Sequence, residues 1–208
     1  MRVIAGTARS LRLSTPKGAK TRPTADRIKE TLFNMINPYL PGSLVLDLFA
    51  GSGGLGIEAL SRGADFAYFI ENDPQACKCI TDNLNFTKMN GQAALINRDA
   101  LNGIEYLSTL SELKDKYFDL VFIDPPYQIA LAGKKVLDLL ARQKYINSST
   151  LIIFEMENKA DGAISHCGLD PQSAQFTVEK EKIYKTNKHV FLRLTTREVQ
   201  NEQHGKNE

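Results

Sequence analysis

Residues 44–56 read Leu44-Val45-Leu46-Asp47-Leu48-Phe49-Ala50-Gly51-Ser52-Gly53-Gly54-Leu55-Gly56, a short apolar run that passes at once into a glycine-rich loop. The run is too short for a buried helix and predicts a β-strand over 44–48. The glycines let the chain turn sharply and bring backbone amides close to a ligand before a helix begins. Outward from this point, apolar runs alternate with helical stretches, the pattern of βαβ units around a parallel sheet. Strands are predicted at 44–48, 66–71, 94–97, 118–124 and 150–155, and helices at 54–62, 74–86, 101–110 and 132–143. Two later runs, 176–184 and 189–194, flank the polar turn Lys185-Thr186-Asn187-Lys188 and predict an antiparallel pair that closes the sheet. Upstream, Ile28, Leu32, Phe33 and Ile36 recur at helical spacing, with a cap at Thr24 or Ala25 and a stop before Pro38.

The fold class is therefore α/β and Rossmann-like. Three parts are expected: a basic arm or hairpin over 1–20, one domain over 21–194, and a polar tail over 195–208 expected to be disordered. With 42% hydrophobic and 24% charged residues, the 208-residue chain can bury one sizeable core. No apolar run reaches the length of a membrane span, and Arg2, Arg9 and Arg12 interrupt the region where a secretory signal needs a hydrophobic core; a cytoplasmic protein is expected. Cys77, Cys79 and Cys167 match neither a disulfide framework nor a zinc site, so no metal is expected.

Charge is unevenly placed. Eight of the 26 basic side chains but two of the 24 acidic ones fall in residues 1–30, so this segment carries +6 and the remainder −4. Such a segment attracts phosphate backbones by releasing condensed counterions. Its candidates for nucleic-acid contact are Arg2, Arg9, Arg12, Lys17, Lys20, Arg22 and Arg27.

Gly51, Gly53 and Gly56 fit the dinucleotide pattern GxGxxG, and Glu71 follows about twenty residues on, where a ribose-binding acid belongs. Asp47 argues against a dinucleotide. It stands at the end of the first strand, where its carboxylate would repel a pyrophosphate and would suit a ligand with an amino group. Glu71 can accept from both ribose hydroxyls and Asp99 from an adenine amine. These three acids at successive strand tips describe a pocket for S-adenosylmethionine. Phe49, Ala50, Gly51, Ser52, Gly53, Asn72 and Ala100 adjoin them and, with Thr24, complete the predicted cofactor set.

The predicted fourth strand ends in Asp124-Pro125-Pro126-Tyr127. Two prolines force a rigid, extended loop. Methylating an exocyclic base amine requires a nitrogen whose lone pair is turned from the ring toward the methyl donor. Asp124 and the carbonyl of Pro125 can accept its two N–H groups. Tyr127 can stack on the base, which is worth about 1 to 3 kcal/mol and offsets much of the cost of unstacking it.

The glycine motif at Asp47–Gly53 and the tetrad at Asp124–Tyr127 resemble those of the amino-methyltransferases. The opening Arg2–Gly6, the run Thr21-Arg22-Pro23-Thr24, the Arg27–Phe33 helix and the stretch Gly54–Ala64 further resemble the bacterial 16S ribosomal RNA guanine-N2 methyltransferase family, over residues 1 to about 194. The resemblance implies a seven-stranded sheet of order 3-2-1-4-5-7-6 with an antiparallel seventh strand, S-adenosylmethionine as cofactor, and 16S rRNA of an assembling or assembled small subunit as partner. It also implies that the helix carrying Arg22, Thr24 and Arg27 flanks the methionine end of the cofactor and the substrate cleft; from charge alone, Arg27 could equally pair with Glu30 or Glu58. A DNA adenine-N6 methyltransferase is the alternative in chemistry, but the spans between motifs leave little room for a target-recognition insertion. A nicotinamide oxidoreductase leaves the tetrad without a role, and a non-catalytic RNA-binding module would not need the acidic pocket. A monomer is expected.

Overall fold

In the computed structural model, which describes residues 1–16, 23–125, 130–157 and 175–195, seven strands form one sheet in the order β3-β2-β1-β4-β5-β7-β6. The strands are β1 (Leu44–Leu48), β2 (Phe66–Glu71), β3 (Ala93–Asn97), β4 (Leu120–Ile123), β5 (Leu151–Glu157), β6 (Phe176–Ile183) and β7 (Asn187–Leu194). Helices α1 (Pro23–Ile36), α2 (Gly54–Ser61), α3 (Pro74–Thr87), α4 (Ala100–Leu107) and α5 (Ala130–Leu140) complete the fold. Strands β1 to β5 run parallel, and β7 is antiparallel to both β5 and β6. The expected sheet order is thus the observed one.

Register assigns the two faces. Val45 pairs with Ala67 and Leu120, and Asp47 with Phe69 and Phe122; Phe122 pairs with Ile153, which pairs with Phe191. Because side chains alternate along a strand, these residues share one face, and its apolar members pack with Leu32, Phe33 and Ile36 of α1, Ile57 of α2 and Ile80 of α3. The opposite face, with Leu46, Ile70, Val121, Ile152 and Leu192, packs on Ile104 of α4 and Val136 and Leu140 of α5. Asp47, Glu71, Asp124, Glu155 and His189 all belong to the first face by the same alternation, toward the end where the parallel strands stop.

Several element ends differ from their predicted places. Helix α1 starts at Pro23 rather than after a cap at Thr24 or Ala25, since proline's missing N–H and fixed φ suit a first helical position. Phe118 and Asp119 precede β4, and the Asp119 carboxylate accepts the Leu44 N–H at 2.8 Å. Helices α4 and α5 each end three residues before their predicted ends at 110 and 143. Strand β7 begins at Asn187, so Asn187 and Lys188 of the predicted turn are strand residues; their side chains are buried with partners at Glu155 and Glu181. Lys17, Lys20, Arg22, Pro126, Tyr127, Cys167 and, beyond Thr195, the predicted tail lie outside the described residues.

The predicted arm lies on the core. Arg2 and Arg12 form an antiparallel bridge, and Val3, Ala8 and Leu13 are buried. Glu58, fully buried on α2, accepts the Ile4 and Ala5 amides at 2.7 and 3.1 Å. It also pairs with Lys29 of α1 at 3.1 Å and Arg62 at 2.8 Å. Lys29 in turn donates to the Arg2 carbonyl at 2.7 Å. Burial lowers the Lys29 pKa, against the pull of Glu58 and Asp26. Gly6 could be no other residue: its φ is +82°, and a Cβ there would lie 1.6 Å from the Ser61 carbonyl oxygen. Asn83 of α3 holds the far end through the Ser14 amide and carbonyl at 2.7 and 2.9 Å.

Candidate functional site

The loop between β1 and α2 turns on three residues with positive φ, Phe49 at 61°, Gly51 at 55° and Gly53 at 79°. Two amides at this turn are held by acidic side chains. The Gly51 N–H donates to Glu71 at 2.7 Å, and the Gly56 N–H donates to Asp47 at 2.8 Å. Gly56 permits this approach because a Cβ would meet the Phe69 ring at 2.3 Å. A pyrophosphate would therefore find these two donors engaged by carboxylates of its own sign.

Asp47 is 1% exposed, and burial, reinforced by Glu71, pushes its carboxyl up to about 7 despite the Gly56 hydrogen bond. Glu71 also accepts the Asn72 and Asp73 amides at 2.8 and 2.9 Å, which fixes it at the tip of β2. Asp99 caps α4, accepting the Asn102 amide at 3.1 Å and the Asn102 side-chain N–H. Those hydrogen bonds, the backbone one foremost, hold its pKa below the ordinary value. The cap is a structural role that the sequence reading of Asp99 did not foresee.

A cavity of about 590 Å³ is lined by Phe49, Gly51, Glu71, Asn72, Asp99 and Ala100 together with Asp124, Pro125 and Glu155. A second cleft, about 1030 Å³, is lined by Asp47, Ala50, Ser52 and Gly54 and also by Met1, Arg27, Lys182, Tyr184 and Lys185. Phe49, Gly51, Asp124 and Glu155 border both. Asp124 opens to solvent in this cleft. The protein packed around it, and then the carboxylates of Glu155 and Asp47, hold its carboxyl well above the usual range. Of the predicted cofactor residues, Gly53 borders neither cavity and serves as the left-handed residue before α2, where its Cβ would press on Ile57 and Phe69. The side chain of Thr24 is outside the described residues.

Of the predicted RNA contacts, Arg9 and Arg12 are exposed, and Arg2 is exposed but pairs with Asp26 at 3.3 Å. Arg27 is exposed at the mouth of the larger cleft. It does not pair with Glu58, whose buried partners are Lys29 and Arg62. Sequence reasoning missed the polar cluster on the cleft floor. Glu155, two residues before the end of β5, accepts from Asn187 Nδ2 at 2.6 Å and lies 3.0 Å from His189 Nε2; His189 Nδ1 lies 3.2 Å from the Tyr184 hydroxyl. Burial, with Glu155 beside it, raises the Tyr184 hydroxyl to about 12. An acid ending the apolar run 151–154 was the available signal, since Glu71 and Asp124 end their strands in the same way.

A sheet of order 3-2-1-4-5-7-6 with an antiparallel β7, helices on both faces, and acids at the tips of its central strands defines the class I methyltransferase fold. Residues 1–193 match the family model described as Conserved hypothetical protein 95, and the chain belongs to that family. It is 39% identical over 158 residues to the ribosomal RNA small subunit methyltransferase D of Haemophilus influenzae, covering 76% of this chain and 79% of that one. The protein of the same name from Escherichia coli K12 is 34% identical over 202 residues, 97% of this chain and 92% of the other. The solved structure of yhhF from Escherichia coli superposes with a TM-score of 0.76 at 32% identity, covering 94% of this chain and 98% of that one.

Proposed function

We propose that this protein transfers a methyl group from S-adenosylmethionine to the exocyclic N2 of a guanine in small-subunit ribosomal RNA. Membership of the family and similarity to the two ribosomal RNA small subunit methyltransferases support the reaction and the RNA class. The observation that carries the residue-level reading is Asp124 at the border of two cavities, one acidic and nucleoside-sized, the other open toward basic side chains.

The carboxylates fit the cofactor. Asp47 would hold the ammonium of its methionine part, Glu71 the ribose hydroxyls and Asp99 the adenine amine, while Phe49 and Ala100 line the apolar wall. When bound, the cofactor supplies an electrophilic methyl on a positively charged sulfur. Asp124 and the Pro125 carbonyl hold the two N–H groups of the amine, turning its lone pair out of conjugation; proximity and orientation carry the rate. The nitrogen needs no base before attack, because its proton becomes acidic only after methylation, and Asp124 is placed to take that proton. Tyr127 is proposed as the stacking partner of the base.

RNA approach is assigned to Arg9, Arg12 and Arg27, with Lys182 and Lys185, which line the larger cleft together with Arg27. The substrate is taken to be a structured RNA within a small-subunit particle in the cytoplasm. Among the described residues no helix is long and apolar enough to cross a membrane, and no group of three or more acidic, histidine or cysteine side chains could hold a metal ion.

The test is transfer of labelled methyl to small subunits and their RNA from a strain lacking the protein, with genomic DNA as parallel acceptor. Label recovered as N2-methylguanosine is expected. Label only in DNA adenine would keep the chemistry and overturn the substrate.

A further inference from the structure

Glu155 has no part in the reaction as described so far, yet it lies beside Asp124. Ile123, the last residue of β4, pairs with Phe154 of β5, so Asp124, which follows β4, and Glu155 are the next residues beyond a paired position, and strand alternation carries both toward the same face. Strand neighbours stand about 4.8 Å apart. Both carboxylates border both cavities, and each is within electrostatic reach of the other.

Glu155 is also held by a built support. Asn187 and His189 are 3% and 2% exposed and contact its two oxygens, and Tyr184 backs His189. The Glu155 side chain remains 19% exposed toward the cleft. The two oxygens of a carboxylate offer about four lone-pair sites, so Glu155 can take a donor from a bound base besides its protein partners.

Two acceptors in a row complement two donors in a row. On its pairing edge guanine carries the N1–H beside the N2 amine. Adenine and cytosine instead place a ring-nitrogen acceptor beside their amines. We infer that Glu155 is the specificity-determining residue of this site, accepting the guanine N1–H while Asp124 holds the N2 amine; the inference rests on the guanine-N2 reading above. An adenine or cytosine turned toward Asp124 would set its ring-nitrogen lone pair against the Glu155 carboxylate. Sites built to hydrogen-bond a group discriminate strongly against analogues that lack it, because their own polar atoms are left unmatched.

The base analogue 2-aminopurine tests this, since it keeps the 2-amino group and carries an acceptor at N1. After the methylated nucleotide has been located by nuclease mapping, small-subunit RNA with guanine or 2-aminopurine at that position is made by ligation. The two are then compared for kcat/KM, with 2-aminopurine fluorescence reporting entry of the base into the cleft. The wild-type protein is expected to prefer guanine by roughly a hundredfold. Glu155→Gln can keep Asn187 as a donor to its oxygen and His189 as an acceptor from its amide, with the Nδ1–H tautomer facing Tyr184. Its remaining N–H then suits an acceptor at N1, so the preference should fall to within a fewfold of unity or invert. A variant that is merely less well folded lowers both rates and leaves their ratio alone. Equal wild-type rates on both RNAs, or a ratio that Glu155→Gln leaves unchanged, overturns the inference while leaving guanine-N2 transfer intact. Label on a base other than guanine overturns both.

Discussion

Lowering the pH should weaken cofactor binding through one residue, Asp47. Its carboxyl is pushed up to about 7 by burial, while the proposed ligand group, an ammonium, binds the ionised form. At pH 7.5 roughly three quarters of the Asp47 carboxyls are ionised, and at pH 5.5 about 3% are. Affinity for S-adenosylhomocysteine should therefore fall about 25-fold between these values, or about 2 kcal/mol. Calorimetric titration in buffers of different ionisation heat should show close to one proton released per ligand at pH 5.5 and about a quarter at pH 7.5. Asp47→Asn should remove the dependence and bind more weakly than wild type at pH 7.5. A flat affinity from pH 5.5 to 7.5, with no proton released, would show that Asp47 does not meet the ammonium.

The same carboxyl bears on stability. Its folded value lies above the unfolded one, so its contribution is present below about pH 4 and is lost as pH rises through about 7; at pH 8 Asp47→Asn should stabilise the ligand-free protein by up to about 4 kcal/mol, read by denaturant unfolding, and at pH 4 by little. Asp124→Asn should abolish transfer while leaving S-adenosylhomocysteine affinity within a fewfold, measured by calorimetry; surviving activity would refute the proposed orientation of the amine. Because its pKa is raised and the amine needs an acceptor, the wild-type rate on RNA should fall as pH drops through a value above the ordinary carboxylate range, measured as kcat at saturating cofactor. Glu58→Ala leaves Lys29 and Arg62 buried without their acid and should cost roughly 3–5 kcal/mol, with protease cleavage appearing in residues 1–13. Arg9→Gln and Arg12→Gln should each reduce the salt dependence of RNA binding by about one unit of slope; an unchanged slope would show that the arm does not touch phosphate.

The central sheet was legible because its signals are local. Leu44–Leu48 and Phe66–Glu71 are apolar runs bounded by turns, and both strands lie where they were predicted. Glu71 and Asp124 stood out because each ends such a run. What was not legible depended on contacts distant in sequence. The buried cluster of Glu58, Lys29 and Arg62 joins two helices and the arm, and from sequence those charges read as ordinary helix surface. Glu155 gains its interest from Asn187 and His189, more than thirty residues away and joined only by an antiparallel register. The arm read as a basic appendage because residues 1–20 carry five basic side chains and no acidic one, although Val3, Ala8 and Leu13 anchor it to the core. Removing residues 1–20 would therefore strip Glu58 of two amide donors as well as removing charge, and only single substitutions separate the two effects.

The placement of Asp47, Glu71, Asp124 and Glu155 on one face and toward one end of the sheet has a cost and a use that share a cause. The protein packed around Asp47 and Asp124, and after it the carboxylates beside them, raises the pKa of both. An anionic ligand would add to that repulsion, whereas a cation relieves it, and the proposed cofactor brings two positive centres, an ammonium and a sulfonium. Methyl transfer moves the sulfonium's charge onto the base nitrogen, beside Asp124 and Glu155. The acids that favour the cofactor thus also favour the charge as it arrives on the acceptor, a transition-state preference that a neutral polar site would not supply. On this argument Asp124 and Glu155 act on the base at once, one on the amine that is methylated and one on its neighbour, and loss of either should reduce transfer more than it reduces RNA affinity.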